Sequence, residues 1–179
     1  MIGAGTLPPG PILASACLLG RRCRYDGGHC AHPAVLRLAR HRQIVPICPE
    51  IAGGLRTPRA PAEILGGDGR DVLAGRALVL DREGRDLTGA FLAGARAAAA
   101  LAREHGARAA ILKEHSPSCG VRWIYDGSFS GRRVPGQGVA TARLAEEGVR
   151  VLSEEECGET LPRGGCGGRD EGRGKPPAP

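Results

Sequence analysis

Aromatic side chains are nearly absent: 179 residues carry one Trp, two Tyr and two Phe. The core is therefore expected to be aliphatic, built from Ala, Val, Leu and Ile. Lysine is equally scarce, with Lys113 and Lys175 alone, so the net charge of +6 rests on arginine. Those arginines are dispersed among acids rather than gathered in a run, which argues against nucleic-acid binding as the primary role. No apolar run approaches the roughly 20 residues of a membrane span, and the opening MIGAGTLPP lacks the basic start and apolar stretch of a secretory signal. A cytoplasmic enzyme is the expectation. No Cys-x-x-Cys pair occurs among the seven cysteines, which speaks against zinc ribbons and thioredoxin-like chemistry. Any metal site must be assembled by the fold from distant loops.

What is present reads as one α/β domain. PILASA (11–16) is an apolar run suited to a buried strand and ends at Cys17. Residues 32–42 carry Ala34, Val35, Leu38 and Ala39 on one face, a short amphipathic helix. QIVPI (43–47) is a second strand ending at Cys48, with Pro46 favouring an edge position. The prolines and Gly-Gly pair of 48–64 predict a loop, and residues 71–80 suggest a small hairpin around Gly75. A long Ala-rich helix should run from Asp86 or Thr88 to His105, stopped by Gly106. ARAAIL (107–112) is a third buried strand leading into KEHSPSCG. A last helix over 139–147 and a last strand over 149–153 complete the pattern. Residues 1–10 are expected to be flexible, 11–156 to form the domain, and 157–179 to be a disordered Gly/Pro-rich tail.

Alternating strands and helices imply a parallel, Rossmann-like sheet flanked by helices. Cys17, Cys48 and Cys119 then fall at or beyond the C-terminal ends of strands, where such sheets gather their ligands. Seven thiols in a reducing compartment favour metal or catalytic roles over structural disulfides.

Several segments together resemble one family: SACLLG (15–20), RYDGG (24–28), VPICPE with GGL and TPR (45–59), LKEHSPSCG (112–120), IYDGSFSG (124–131) and GQGVA (136–140). Their order and spacing are similar to those of the DUF523 proteins, which include bacterial thiouracil desulfidases, over roughly residues 12 to 155. The resemblance implies a [4Fe-4S] cluster held by Cys17, Cys48 and Cys119 with one iron left open. It also implies a non-redox removal of sulfur from a thiolated pyrimidine such as 4-thiouracil, water attacking the ring carbon. Glu50, two residues past a ligand cysteine, is the first candidate for the base that activates this water, and Glu114 the second. Lys113 could stabilise developing negative charge. Ser116 and Ser118 could hydrogen-bond the ring or the cluster sulfurs, and Tyr25 and Asp26 could line the pocket. Each has a plainer rival: Glu50 could simply pair with Arg56 or Arg59, Lys113 could be a salt-bridge partner, and Asp26 a turn-former. Cys23, Cys30, Cys157 and Cys166 are read as bystanders, the last two as surface thiols. Two other readings stay open: a thiolated nucleoside or tRNA as substrate, and a non-catalytic iron-sulfur or zinc-binding sensor module.

Overall fold

The structure is a computed structural model, and it describes residues 7–157. The expectations for residues 1–6, for 158–179 and for Cys166 lie outside the described residues. Four parallel strands form the central sheet in the order β2-β1-β5-β8: β1 (Ile12–Ser15), β2 (Ile44–Ile47), β5 (Ala109–Leu112) and β8 (Arg150–Ser153). The expected α/β class with a parallel sheet is what folds. β2 is an edge strand, where Pro46 removes no interior ladder bond.

Side-chain alternation along β1 and β5 builds two hydrophobic layers. Leu13, Ala110 and Leu112 face the core shared with α4 (Thr88–His105) and α5 (Val139–Glu146). Ile12, Ala14, Ala109 and Ile111 face the opposite layer, where Val35 of α1 (Pro33–Leu38) and Leu18 pack. Both faces are covered, as continuous apolar strands require. The buried face of α4 is mostly alanine (Ala95, Ala98, Ala99, Ala102) around the one large residue Phe91, so an aliphatic, aromatic-poor core is what is observed. Gly106 ends α4 in the left-handed conformation (φ 65°).

Several local expectations are overturned. The segment 48–64 is not a plain loop: α2 (Pro49–Ala52) and β3 (Ala62–Leu65) lie within it. Pro49 opens the helix at a position where a missing N–H costs nothing. Residues 71–80 form no hairpin. Instead α3 (Gly69–Leu73) starts at a reciprocal capping box between Asp68 and Asp71, and β4 (Leu78–Asp81) pairs antiparallel with β3. A second antiparallel pair, β6 (Trp123–Tyr125) with β7 (Arg133–Pro135), was not anticipated. α1 is shorter than expected, because the chain turns after Leu38 and Arg42 donates to the carbonyls of Pro8 (2.5 Å) and Gly10 (2.8 Å). That contact joins residues 8–10 to the chain that follows α1. Cys157 is not a surface thiol either: it ends α6 (Glu154–Cys157) and is half-buried against the second core layer.

Candidate metal centre

β1 runs directly into a 3-10 turn, Ala16–Leu19, capped by Gly20 at φ 88°. That turn buries Cys17, whose carbonyl accepts from Gly20 N–H (3.2 Å) and Cys30 N–H (2.9 Å). Cys48 follows β2 in extended backbone and precedes Pro49 of α2. α2 is pressed against α4 through two glycines. A Cβ on Gly94 would overlap the Pro49 carbonyl, and one on Gly53 would overlap the Ala90 carbonyl. Gly94 therefore fixes how closely the Cys48 segment can approach the helix layer.

Cys119 sits in the loop after β5, which is docked on the N-terminus of α5. Gly138, Val139 and Ala140 donate their N–H groups to the carbonyls of Gly120 (2.8 Å), Pro117 (2.9 Å) and Ser118 (2.9 Å). These are the donors a helix start leaves without internal partners. Thr141 Oγ1 donates to the Cys119 carbonyl at 2.9 Å. Ser116 Oγ accepts from Ser118 N–H and Cys119 N–H, both at 3.1 Å. The SPSCG segment is thus held as one rigid turn with Cys119 buried inside it.

These loops bring thiols together. Cys23, on the loop after the 3-10 turn, packs against the layer that holds Cys17. Cys48 Sγ also lies 3.7 Å from the Cys23 carbonyl. Cys119 stands within electrostatic reach of Cys48 and Glu50. The neighbouring Cys23 thiol, then burial, pushes the Cys48 thiol well up, and burial pushes Cys119 up to about 12. Among the described residues, no three His, Cys, Asp or Glu side chains are arranged to hold a single metal ion.

Glu50, on α2 two residues past Cys48, adds to the upward push on both the Cys48 and the Cys119 thiols. Its Oε2 accepts from Arg59 Nε at 2.8 Å and lies 2.5 Å from Arg59 Nη2. Arg59 also donates to the carbonyls of Cys23 (3.2 and 3.3 Å) and Arg56 (3.2 Å) and to Thr57 Oγ1 (3.2 Å). Its own N–H donates to the Tyr25 carbonyl at 2.8 Å. One guanidinium therefore joins the first cysteine loop to the second.

The other candidates are placed as follows. Lys113 Nζ is paired with Glu154 Oε1 at 2.5 Å, and its N–H donates to Ser15 Oγ at 3.0 Å. Its charge is already answered by a buried carboxylate. Glu114 is 1% exposed, and its Oε1 accepts from Val121, Arg122 and Trp123 N–H at 2.9, 3.0 and 3.1 Å. Burial opposes its ionisation, but the N–H donors of Arg122, Trp123 and Val121 outweigh it and hold the carboxyl below its usual value. Three N–H donors on one oxygen favour the ionised form of this carboxyl. Asp26 accepts from Gly28 N–H (2.9 Å) and pairs with Arg24 (3.3 Å), closing its own turn. Tyr25 is exposed, with the Arg24 guanidinium 5.7 Å from its ring centroid. Ser118 is buried, next to Cys119 in the same turn.

The sequence reads Cys23 as a bystander or a spare ligand and Arg59 only as a partner for Glu50. It gives no role to Glu154 or Thr141. The one available signal was the TPR segment, where a buried arginine among prolines has few partners except a nearby carboxylate.

A solved structure described as a [4Fe-4S]-dependent thiouracil desulfidase, TudS (DUF523Vcz), superposes with a TM-score of 0.73 at 40% identity, covering 83% of this chain and 93% of that one. The Bacillus subtilis (strain 168) protein YbbK, itself uncharacterised, is 47% identical over 150 residues, 84% of this chain and 99% of the relative. The model of the 2-thiouracil desulfurase family matches residues 12–156. With most of its length matched in this way, the chain belongs to the 2-thiouracil desulfurase family.

Proposed function

We propose that this protein is a [4Fe-4S]-dependent desulfidase that converts a thiolated pyrimidine such as 4-thiouracil, with water, into uracil and hydrogen sulfide. What supports the reading is the family match over residues 12–156, together with the position of Cys17, Cys48 and Cys119, each beyond the C-terminal end of a parallel strand. The donor set fits the group: soft thiols suit iron-sulfur clusters. Buried thiols that resist ionisation when crowded by one another are relieved by a bound cationic centre. When bound, the cluster supplies a Lewis-acidic iron, left open by a three-thiolate set, that polarises the carbon-sulfur bond.

The chain's own residues supply the rest. Glu50 takes a proton from the attacking water through Oε1, which accepts no hydrogen bond from a described residue. Arg59 holds Oε2 and thereby aims the carboxylate. The water oxygen becomes the ring carbonyl, sulfur departs as hydrogen sulfide, and no electrons are gained or lost overall. Ser116 and Ser118 keep the Cys119 turn in shape, with the Ser116 hydroxyl proton left to meet the ring. Lys113 and Glu114 are structural in this account. The exposed Tyr25 with Arg24 beside it favours stacking of a base at the rim, and the net charge of +6 would suit a substrate carrying phosphate, such as a thiolated nucleotide or tRNA.

Anaerobically purified, cluster-loaded protein is expected to bleach 4-thiouracil absorbance and release uracil and sulfide in equal amounts without any added reductant or oxidant. Parallel assays on thiolated nucleosides and tRNA rank the substrates. A colourless, iron-free preparation that leaves all three unchanged would contradict the reading.

A further inference from the structure

Three thiols suffice for a cluster with one open iron, yet the fold brings a fourth to the same place. Cys23 packs against the layer that holds Cys17, and its carbonyl lies 3.7 Å from Cys48 Sγ although the two residues are 25 apart in sequence. We propose that Cys23 is an exchangeable fourth thiolate ligand, covering the open iron of the cluster until substrate displaces it. The proposal rests on the reading of the site as a cluster centre.

The position of Cys23 is built. Its N–H donates to the Arg21 carbonyl at 3.0 Å, and Arg59 clamps its carbonyl with two donors at 3.2 and 3.3 Å. Cys48 Sγ addresses the same carbonyl at 3.7 Å. A cysteine that only filled space would need no such clamp on its main chain. Exposure separates it from Cys17 and Cys119, which are buried, whereas Cys23, like Cys48, is partly open to solvent. A ligand that must leave and return needs that freedom, and the buried ligands do not have it.

The loop carrying Cys23 also allows the motion. It is flanked by Gly20 (φ 88°) and Gly27 (φ 77°), and beyond the Arg59 clamp its closure rests on short-range bonds such as Gly27 N–H to the Arg24 carbonyl at 3.0 Å. Exchange is redox-neutral. The Cys23 thiolate leaves iron and takes a proton from solvent as the thiocarbonyl sulfur arrives, and the reverse occurs on product release. Covering the open iron in the resting protein would protect it from loss to oxidants, because a non-cysteine site is the one from which iron escapes first. It would also make substrate compete with an internal ligand.

The test uses Cys23→Ala and Cys23→Ser in the full chain, reconstituted anaerobically beside wild type and Cys17→Ala. Iron and sulfide content, the EPR signal of the three-iron cluster during ferricyanide titration, and KM for 4-thiouracil are measured. Both Cys23 variants are expected to hold as much iron as wild type, to form the three-iron signal several-fold faster, and to show a lower KM. Oxidation kinetics and KM equal to wild type would overturn the proposal and make Cys23 a bystander. Iron loss as severe as in Cys17→Ala would also overturn it, by making Cys23 an obligatory ligand. Failure of the underlying reading looks different: wild type itself would then take up no cluster.

Discussion

Arg59 and Glu50 form a half-buried ion pair in which both guanidinium bonds fall on one carboxylate oxygen, at 2.8 and 2.5 Å, and the other oxygen accepts nothing from the described residues. A carboxylate that only balanced an arginine would be expected to spread over both oxygens in a forked pair. The one-sided grip leaves Oε1 for a water. Glu50→Gln keeps the shape of the side chain and touches no proposed ligand. It should retain the cluster while single-turnover desulfuration falls by roughly 10²–10⁴, the usual range for a lost general base. Wild-type rates would transfer the role away from Glu50.

Arg59 has a structural duty as well. Its removal leaves Glu50 and the carbonyls of Cys23 and Arg56 without their donor. Arg59→Ala should cost about 3 kcal/mol of stability, read as a lowered urea midpoint with unchanged slope. Arg59→Lys should recover only part of it, because a point charge cannot make the same set of directed bonds.

Glu114 governs acid stability. Its carboxyl is lowered in the folded state, so the stability it contributes is present above the unfolded value of about 4.3. That contribution is lost as pH falls through the folded value. Glu114→Gln should be destabilised by about 2 kcal/mol at neutral pH and should lose less further stability than wild type between about pH 5 and pH 3. Thermal melts across that range check both effects. Parallel pH curves for the two proteins would assign the acid sensitivity elsewhere.

Gly94 offers a test of how the fold positions Cys48. In an exposed helix interior, Gly→Ala stabilises by about 1 kcal/mol. Here the added methyl meets the Pro49 carbonyl, a backbone group that cannot rotate away. The overpacking cost of about 1–3 kcal/mol should win, and reconstituted Gly94→Ala should hold less iron than wild type. A stabilised variant with full iron content would show that α2 shifts freely.

Much of this arrangement was legible in the chain. PILASA, QIVPI and ARAAIL are apolar runs bounded by breakers, and each became a parallel strand followed by a cysteine-bearing loop. The Ala-rich helix ended at Gly106 because its left-handed conformation favours glycine. What escaped depended on distant partners. β3 pairs with β4 across the α3 segment, and no local periodicity in four residues announces that. Pro49 read as a breaker because the run around it is proline-rich, although a proline at the first helical position is favourable. Glu114 looked like a site residue by its nearness to Cys119. The β6 backbone that consumes its Oε1 comes from a hairpin the pattern did not reveal. Cys23 is the plainest case, since nothing in CRYDGG indicates that its loop folds back onto Cys48.

The central claim is that Cys17, Cys48 and Cys119 hold the cluster on which desulfuration depends. The most direct measurement is iron and acid-labile sulfide content of the three single alanine variants after anaerobic reconstitution, taken with 4-thiouracil bleaching by the same samples. Each substitution is expected to abolish the four-iron cluster and the activity together, while Cys157→Ala, at the half-buried end of α6, retains both. Full cluster and activity in any one of the three variants would contradict the account.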